Sequence, residues 1–305
     1  VRIRTVFKAF LCLALVAAAN TPSLAADSFY PFIYGSKGDV LLAEKPGQKP
    51  KKLGKGYDPS LSPGARQAVW VEKITDQNDR IVICEMDSGM IRPLVSQDGF
   101  LHTPRWSPKE NVVLYVRRAS GKSELWTVRP AGIPVMLATA DNSTGNDFFE
   151  PVWTPDGEGI CYHDMSYLYR MTPNGKVASR TDVSVFGDKN MFTSSDRFAL
   201  RPNARGSLAF TMSVPGSKLF QKKVPDMNTA IFLYDAATKA VTRITAENMT
   251  AFSPVWSPNG EEILFSGYSD VQAGGAYPFR VFSLRPGAQP VELFPGENPM
   301  PVPAR

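Results

Sequence analysis

From residue 29 to residue 303 the apolar residues fall into short runs, many alternating with polar ones, and almost every run is bounded by Gly, Pro, Asn or Asp. Alternation with a period of two puts one side of a segment into a core and the other toward water, which is the pattern of a half-buried strand. Ile231 and Leu233, followed across a turn by Val241 and Ile244, show it clearly. The one long apolar run, Ala9 to Ala19, lies near the N-terminus and is too short to span a bilayer comfortably. Everything after it predicts an all-β chain.

The strands repeat. Thr103 to Tyr115 (TPRWSPKENVVLY), Glu150 to Tyr162 (EPVWTPDGEGICY) and Ser253 to Phe265 (SPVWSPNGEEILF) are copies of one unit, and Asp58 to Trp70 and Arg197 to Phe210 are weaker ones. Their second prolines are Pro63, Pro108, Pro155, Pro202 and Pro258, so the period is 45 to 56 residues. Each copy predicts strand, turn, strand. Pro presets φ early in the turn, and the Gly of Pro-Asp-Gly or Pro-Asn-Gly takes positive φ at its end. A second pair of apolar runs follows each hairpin, as in Arg80 to Val95 and Pro278 to Leu293. Four short antiparallel strands recurring at this period predict β-propeller blades.

The chain ends set the number of blades. Phe29 to Lys55 holds a blade that lacks its first strand, while Asn298-Pro299-Met300-Pro301-Val302-Pro303 aligns with Ser253 to Pro258, prolines in register. The C-terminal segment is therefore expected to supply the missing strand and close a ring of six blades. At this point the P-x-W-S-P-D-G-x-x-I-x-F pattern resembles the TolB-like propeller family, relatives of the WD-repeat blades, and the resemblance runs from residue 29 to residue 303. It implies a periplasmic role in the bacterial envelope. The family's namesake binds an outer-membrane-anchored lipoprotein and a segment of a colicin-transport system through its propeller. The namesake also carries an α/β domain ahead of the propeller, which is not expected here, and this puts a conventional Tol-system role in doubt.

Composition adds the compartment. Arg2, Arg4 and Lys8 precede the apolar run, and Ser23-Leu24-Ala25-Ala26 follows it, the layout of a secretory signal peptide. Residues 1–25 are expected to be removed and residues 26–305 to form a single domain in the periplasm or medium. Removal takes away three positive charges and lowers the net charge from +5 to +2, which argues against nucleic acid as a partner. Lys45, Lys49, Lys51, Lys52 and Lys55 read as a protected strand edge. Cys84 and Cys161 sit in separate apolar strands and are expected to be buried free thiols.

Candidate chemistry is sparse. No G-x-S-x-G nucleophile elbow occurs, which argues against a serine hydrolase of the α/β type. Only His102 and His163 are present, and they read as structural. Asp141 to Asp147 alternates oxygen donors around Gly145 and could hold calcium, but lacks the bidentate Glu of an EF-hand loop. No cofactor is expected. Stacking the copies does yield a constellation: five residues before each second proline stand Asp58, Thr103, Glu150, Arg197, Ser253 and, in the closing strand, Asn298. The first strand of a blade lines the channel, so these six form a polar ring, expected to face water and to contribute about 0.5 kcal/mol or less each to stability. Trp106, Trp153 and Trp256 are expected to fill space between blades. The predicted function is a monomeric, non-enzymatic module that binds an envelope protein or peptide at the axial mouth, with no membrane span in the mature chain. An enzyme acting on a small molecule or glycan at that mouth, or a structural subunit of an envelope complex, are the alternatives.

Overall fold

In the computed structural model, which describes residues 29–141, 147–204, 206–215 and 228–303, the strands assemble into six separate four-stranded antiparallel sheets. The innermost strands, in blade order, are Glu297–Pro301, Tyr57–Leu61, Phe100–Trp106, Phe149–Trp153, Phe198–Leu200 and Met249–Trp256. The outermost are Lys51–Lys55, Ile91–Val95, Val135–Asp141, Val177–Asp182, Val241–Arg243 and Val291–Pro295. The first sheet mixes the two chain ends. Glu297–Pro301 pairs antiparallel with Phe32–Ser36, with Ile33 opposite Met300 and Gly35 opposite Glu297. This is a six-bladed β-propeller closed by its C-terminal strand. Residues 1–25, expected to be a signal peptide, lie outside the described residues.

The hairpin motif follows from its hydrogen bonds. Thr154 N–H bonds to Gly159 O at 2.8 Å and Ser257 N–H to Glu262 O at 2.7 Å, closing equivalent loops. Inside them the Ser or Thr oxygen accepts a backbone N–H, Gly159 on Thr154 and Glu262 on Ser257, each at 2.9 Å. Asp156 and Asn259 each accept the N–H two residues on. Gly157 and Gly260 stand at φ 69° and 70°, where a side chain would be strained and would also meet the neighbouring blade. The W-[ST]-P-[DN]-G string therefore carries its own turn.

The core lies between blades. Six apolar clusters each join one blade to the next, such as Val69, Val71 and Ile83 packed with Val113 and Tyr115, or Ala209 and Ile231 with Ile263 and Phe265. The three repeat tryptophans work in these interfaces as expected. Trp153 and Trp256 also donate their indole N–H to the preceding blade, to Arg105 O at 3.1 Å and Ala199 O at 3.0 Å. Cys84 and Cys161 are buried free thiols, 2% and 5% exposed. Among the described residues no helix is long and apolar enough to cross a membrane.

Candidate functional site

The six ring positions do converge on the axis, and five share an unusual backbone. Asp58, Thr103, Glu150, Ser253 and Asn298 have φ between 43° and 55°, each at a register shift in its innermost strand. A bulge turns one residue out of the ladder and leaves its N–H to be collected elsewhere. Side chains of neighbouring strands do the collecting. Thr103 N–H donates to Asp58 Oδ2 at 2.7 Å, and Asn298 N–H to Ser266 Oγ at 2.8 Å. Arg197 departs from this geometry: it keeps ordinary φ and bonds to Thr211 through its own N–H and C=O.

Within the ring the groups pair with one another. Arg197 holds Glu150 Oε2 through Nε and Nη2 at 3.0 and 2.8 Å, and Ser253 Oγ donates to Asn298 Oδ1 at 2.8 Å. Asp58 is claimed by a residue that motif stacking passed over, Arg105, whose Nη2 lies 2.8 Å from Asp58 and 3.8 Å from Glu150. Burial alone would push the Asp58 carboxyl up, but Arg105, Arg197 and the Thr103 N–H outweigh it and hold it below the usual range. The expected water-facing ring is thus largely enclosed. Thr103 is 1%, Arg197 3% and Ser253 8% exposed, so these three do not face water as expected.

Arg105 was legible. Strand alternation makes the residue two beyond the ring the next one to face the channel, and that tier reads Ser60, Arg105, Val152, Ala199, Val255 and Met300. One guanidinium among small and apolar neighbours is the signal. Beyond it, toward the C-terminal ends of the innermost strands, the channel opens into a cavity of about 130 Å³. Its wall is made by Val152, Ala199, Val255 and Met300 with the repeat prolines and tryptophans around them, and Arg105 and Arg197 border it.

The histidines are structural. His163 is 1% exposed, donates from Nε2 to Asp196 O at 2.7 Å, and accepts the Met165 N–H at Nδ1. His102 Nδ1 lies 2.7 Å from Thr103 Oγ1. Burial pushes both down to about 4, and it lifts the Asp196 carboxyl to about 6. The signs oppose. A buried neutral His stabilises fully above its unfolded pKa of about 6.5 and loses that contribution as pH falls toward 4, whereas protonated Asp196 stabilises at low pH and loses its contribution as pH rises through 6. Two histidines outweigh one carboxyl. Stability in urea should therefore fall by about 2 to 3 kcal/mol between pH 6.5 and 5, where ordinary carboxylates are still ionised. His163→Gln should remove most of that slope, because the one remaining imidazole is then largely offset by Asp196. A flat profile across this window would show that neither imidazole is held neutral by the fold.

No group of three or more His, Cys, Asp or Glu residues suited to a metal ion occurs among the described residues. Residues 142–146 of the calcium candidate lie outside them, and Asp147 accepts from Arg118 Nη2 at 2.8 Å.

No family model matches the chain, and no curated protein matches it. Solved structures do. TolB from Acinetobacter baumannii superposes with a TM-score of 0.56 at 19% identity over 88% of this chain, which spans 65% of that protein's length. Hydrazine synthase from Kuenenia stuttgartiensis superposes with a TM-score of 0.60 at 12% identity over 90% of this chain and 46% of its own. Proteins of this shape thus include an enzyme chain as well as a TolB, so shape leaves activity to the site. At these identities the likeness is one of architecture, and in architecture the chain is a TolB-like six-bladed β-propeller.

Proposed function

We propose that this chain is an exported, non-enzymatic binding module of the bacterial envelope that takes a protein or peptide segment at its axial cavity. The observation that supports this most directly is the cavity itself, an apolar recess on the axis with strands of several blades in its wall. Recesses with apolar walls and a few convergent polar groups are the usual form of a binding site. Its charged neighbours, Arg105 and Arg197, are ion-paired to ring carboxylates, an arrangement suited to orienting a partner more than to moving protons. The TolB likeness and the signal-like N-terminus support the periplasm as the place of action.

The test is affinity capture from envelope extract with the mature chain and with Val255→Trp, which fills the cavity from a half-buried position. A partner retained by the parent and lost by the variant, at unchanged melting temperature, is the expected result. Equal retention by both would move the binding surface off the axis and favour a structural subunit that docks through another face.

A further inference from the structure

Trp153 stands in the wall of the axial cavity and also in the wall of a larger groove, about 580 Å³, between the third and fourth blades on the same face. The outer part of this groove is lined by Ile133, Val135 and Met136, which are 86%, 58% and 49% exposed. They lie in the turn between the two outer strands of the third blade and at the start of its outermost strand. Directly after the glycine of that turn the first, fourth and sixth blades carry Gln48, Lys176 and Ala288, where the third carries Ile133. The second blade shares the apolar choice with Met90, 55% exposed, and Arg92 Nη2 donates to Pro130 O at 3.0 Å, tying the two turns together. Single exposed apolar residues need no explanation, but a run of them in the wall of a groove marks a surface that something covers.

The shape of the path says what the cover is. On its far side the groove is bounded by Pro173 and Asn174 of the fourth blade, whose turn sits so close to the third that a side chain at Gly175 would collide with the Leu137 carbonyl. Between groove and cavity the inner turns of the two blades meet, and Lys109 of one pairs with Glu158 of the other. Two apolar recesses are thus joined across paired charges. A hydrocarbon chain would cross that saddle without satisfying it, and a flat protein face would not enter the recesses, whereas a peptide can place apolar side chains in both and polar ones between. The innermost and outermost strands of a blade are three spacings apart, about 14 Å, and an extended chain rises about 3.3 Å per residue, so about four or five residues connect the two recesses.

Resting on the axial-binding reading above, we infer that the occupant of this face is an extended peptide segment of a partner, with two apolar side chains about four or five residues apart and polar residues between them, one anchor in the axial cavity and the other in the groove against Ile133, Val135 and Met136.

The probe is a displayed library of random dodecapeptides selected on the immobilised mature protein, from which the most enriched sequence is synthesised with fluorescein and titrated by anisotropy. Enriched sequences should share two apolar positions about four or five residues apart. Met136→Lys and Ile133→Lys change exposed side chains and should melt with the parent, yet each should weaken the peptide about tenfold or more, the scale of one lost apolar anchor. Replacing the groove-side apolar residue of the peptide with Ser should cost a similar factor on the parent and little further on Met136→Lys, a coupling that indirect damage to the fold would not produce. Val255→Trp should weaken the peptide through the other anchor. If the lysine variants bind like the parent while Val255→Trp still weakens binding, the groove inference is overturned and the axial reading stands. If Val255→Trp has no effect, the axial reading falls and this inference with it. Failure of the library to enrich, or enrichment of a single apolar position, overturns the two-anchor segment.

Discussion

Deleting Glu297 to Arg305 should cost the protein most or all of its folding stability, and adding the same nine residues back as a peptide should restore part of it. The segment contributes the innermost strand of the first blade, and its removal uncovers the edge of Phe32–Ser36, where Phe32, Ile33 and Tyr34 are at most 1% exposed. It also removes Met300 and Val302 from the cluster between the first two blades, together with the bonds of Asn298 to Ser253 and Ser266. A whole domain is stable by only about 5 to 15 kcal/mol, so loss of a central strand and exposure of a hydrophobic edge reach that scale. Rescue in trans separates ring closure from unspecific damage, because a peptide can re-form a missing strand only if the edge it pairs with is otherwise intact. Melting curves of the truncated chain with and without the peptide decide it. A truncated chain that melts with the parent would refute closure by this strand.

Blade number and closure were readable in advance because a propeller repeats its turn chemistry. Four of the five turns satisfy the same backbone groups with a Ser or Thr ahead of the Pro, Arg201 standing there in the fifth, and the closing strand keeps the proline spacing although it lacks the turn itself. The ring positions were readable for the same reason. Their pairing was not. Whether Glu150 reaches toward water or toward Arg197 depends on the bulge that gives Glu150 a φ of 43°, and neither Pro-x-Trp nor the spacing encodes that backbone turn. The enclosure of the ring was missed because propeller channels are commonly filled with water, whereas here two arginines lie across this one. Arg105 sits at the variable position between Pro104 and Trp106, which motif alignment averages away. Alternation along one strand would have found it.

Replacing Arg105 with Met should destabilise the propeller by about 3 to 5 kcal/mol, and most of that loss should be recovered when Asp58→Asn is added. Met suits the site sterically, since Met300 occupies the equivalent position in the closing strand and Val152, Ala199 and Val255 stand there in other blades. Lost packing is therefore a minor part of the effect. The large part is Asp58, which would keep its charge, only 15% exposed, without the guanidinium that holds its pKa down. Asn in its place carries no charge, still accepts the Thr103 N–H, and tolerates the left-handed backbone at φ 55° better than most residues. The double variant should therefore lie within about 1 to 2 kcal/mol of the parent, as is common when a buried ion pair is replaced whole. A second consequence follows from linkage. In the parent the depressed Asp58 pKa stabilises above the unfolded value of about 3.9 and is lost as pH falls through the folded one. In Arg105→Met only Arg197 and the Thr103 N–H are left to oppose burial, so that pKa rises and the variant should lose less stability than the parent as Asp58 protonates. Urea denaturation of the three chains at pH 7 and pH 5 reads both effects. If the single variant lay within 1 kcal/mol of the parent at pH 7, Asp58 would have to be far better hydrated than the geometry of the ring allows.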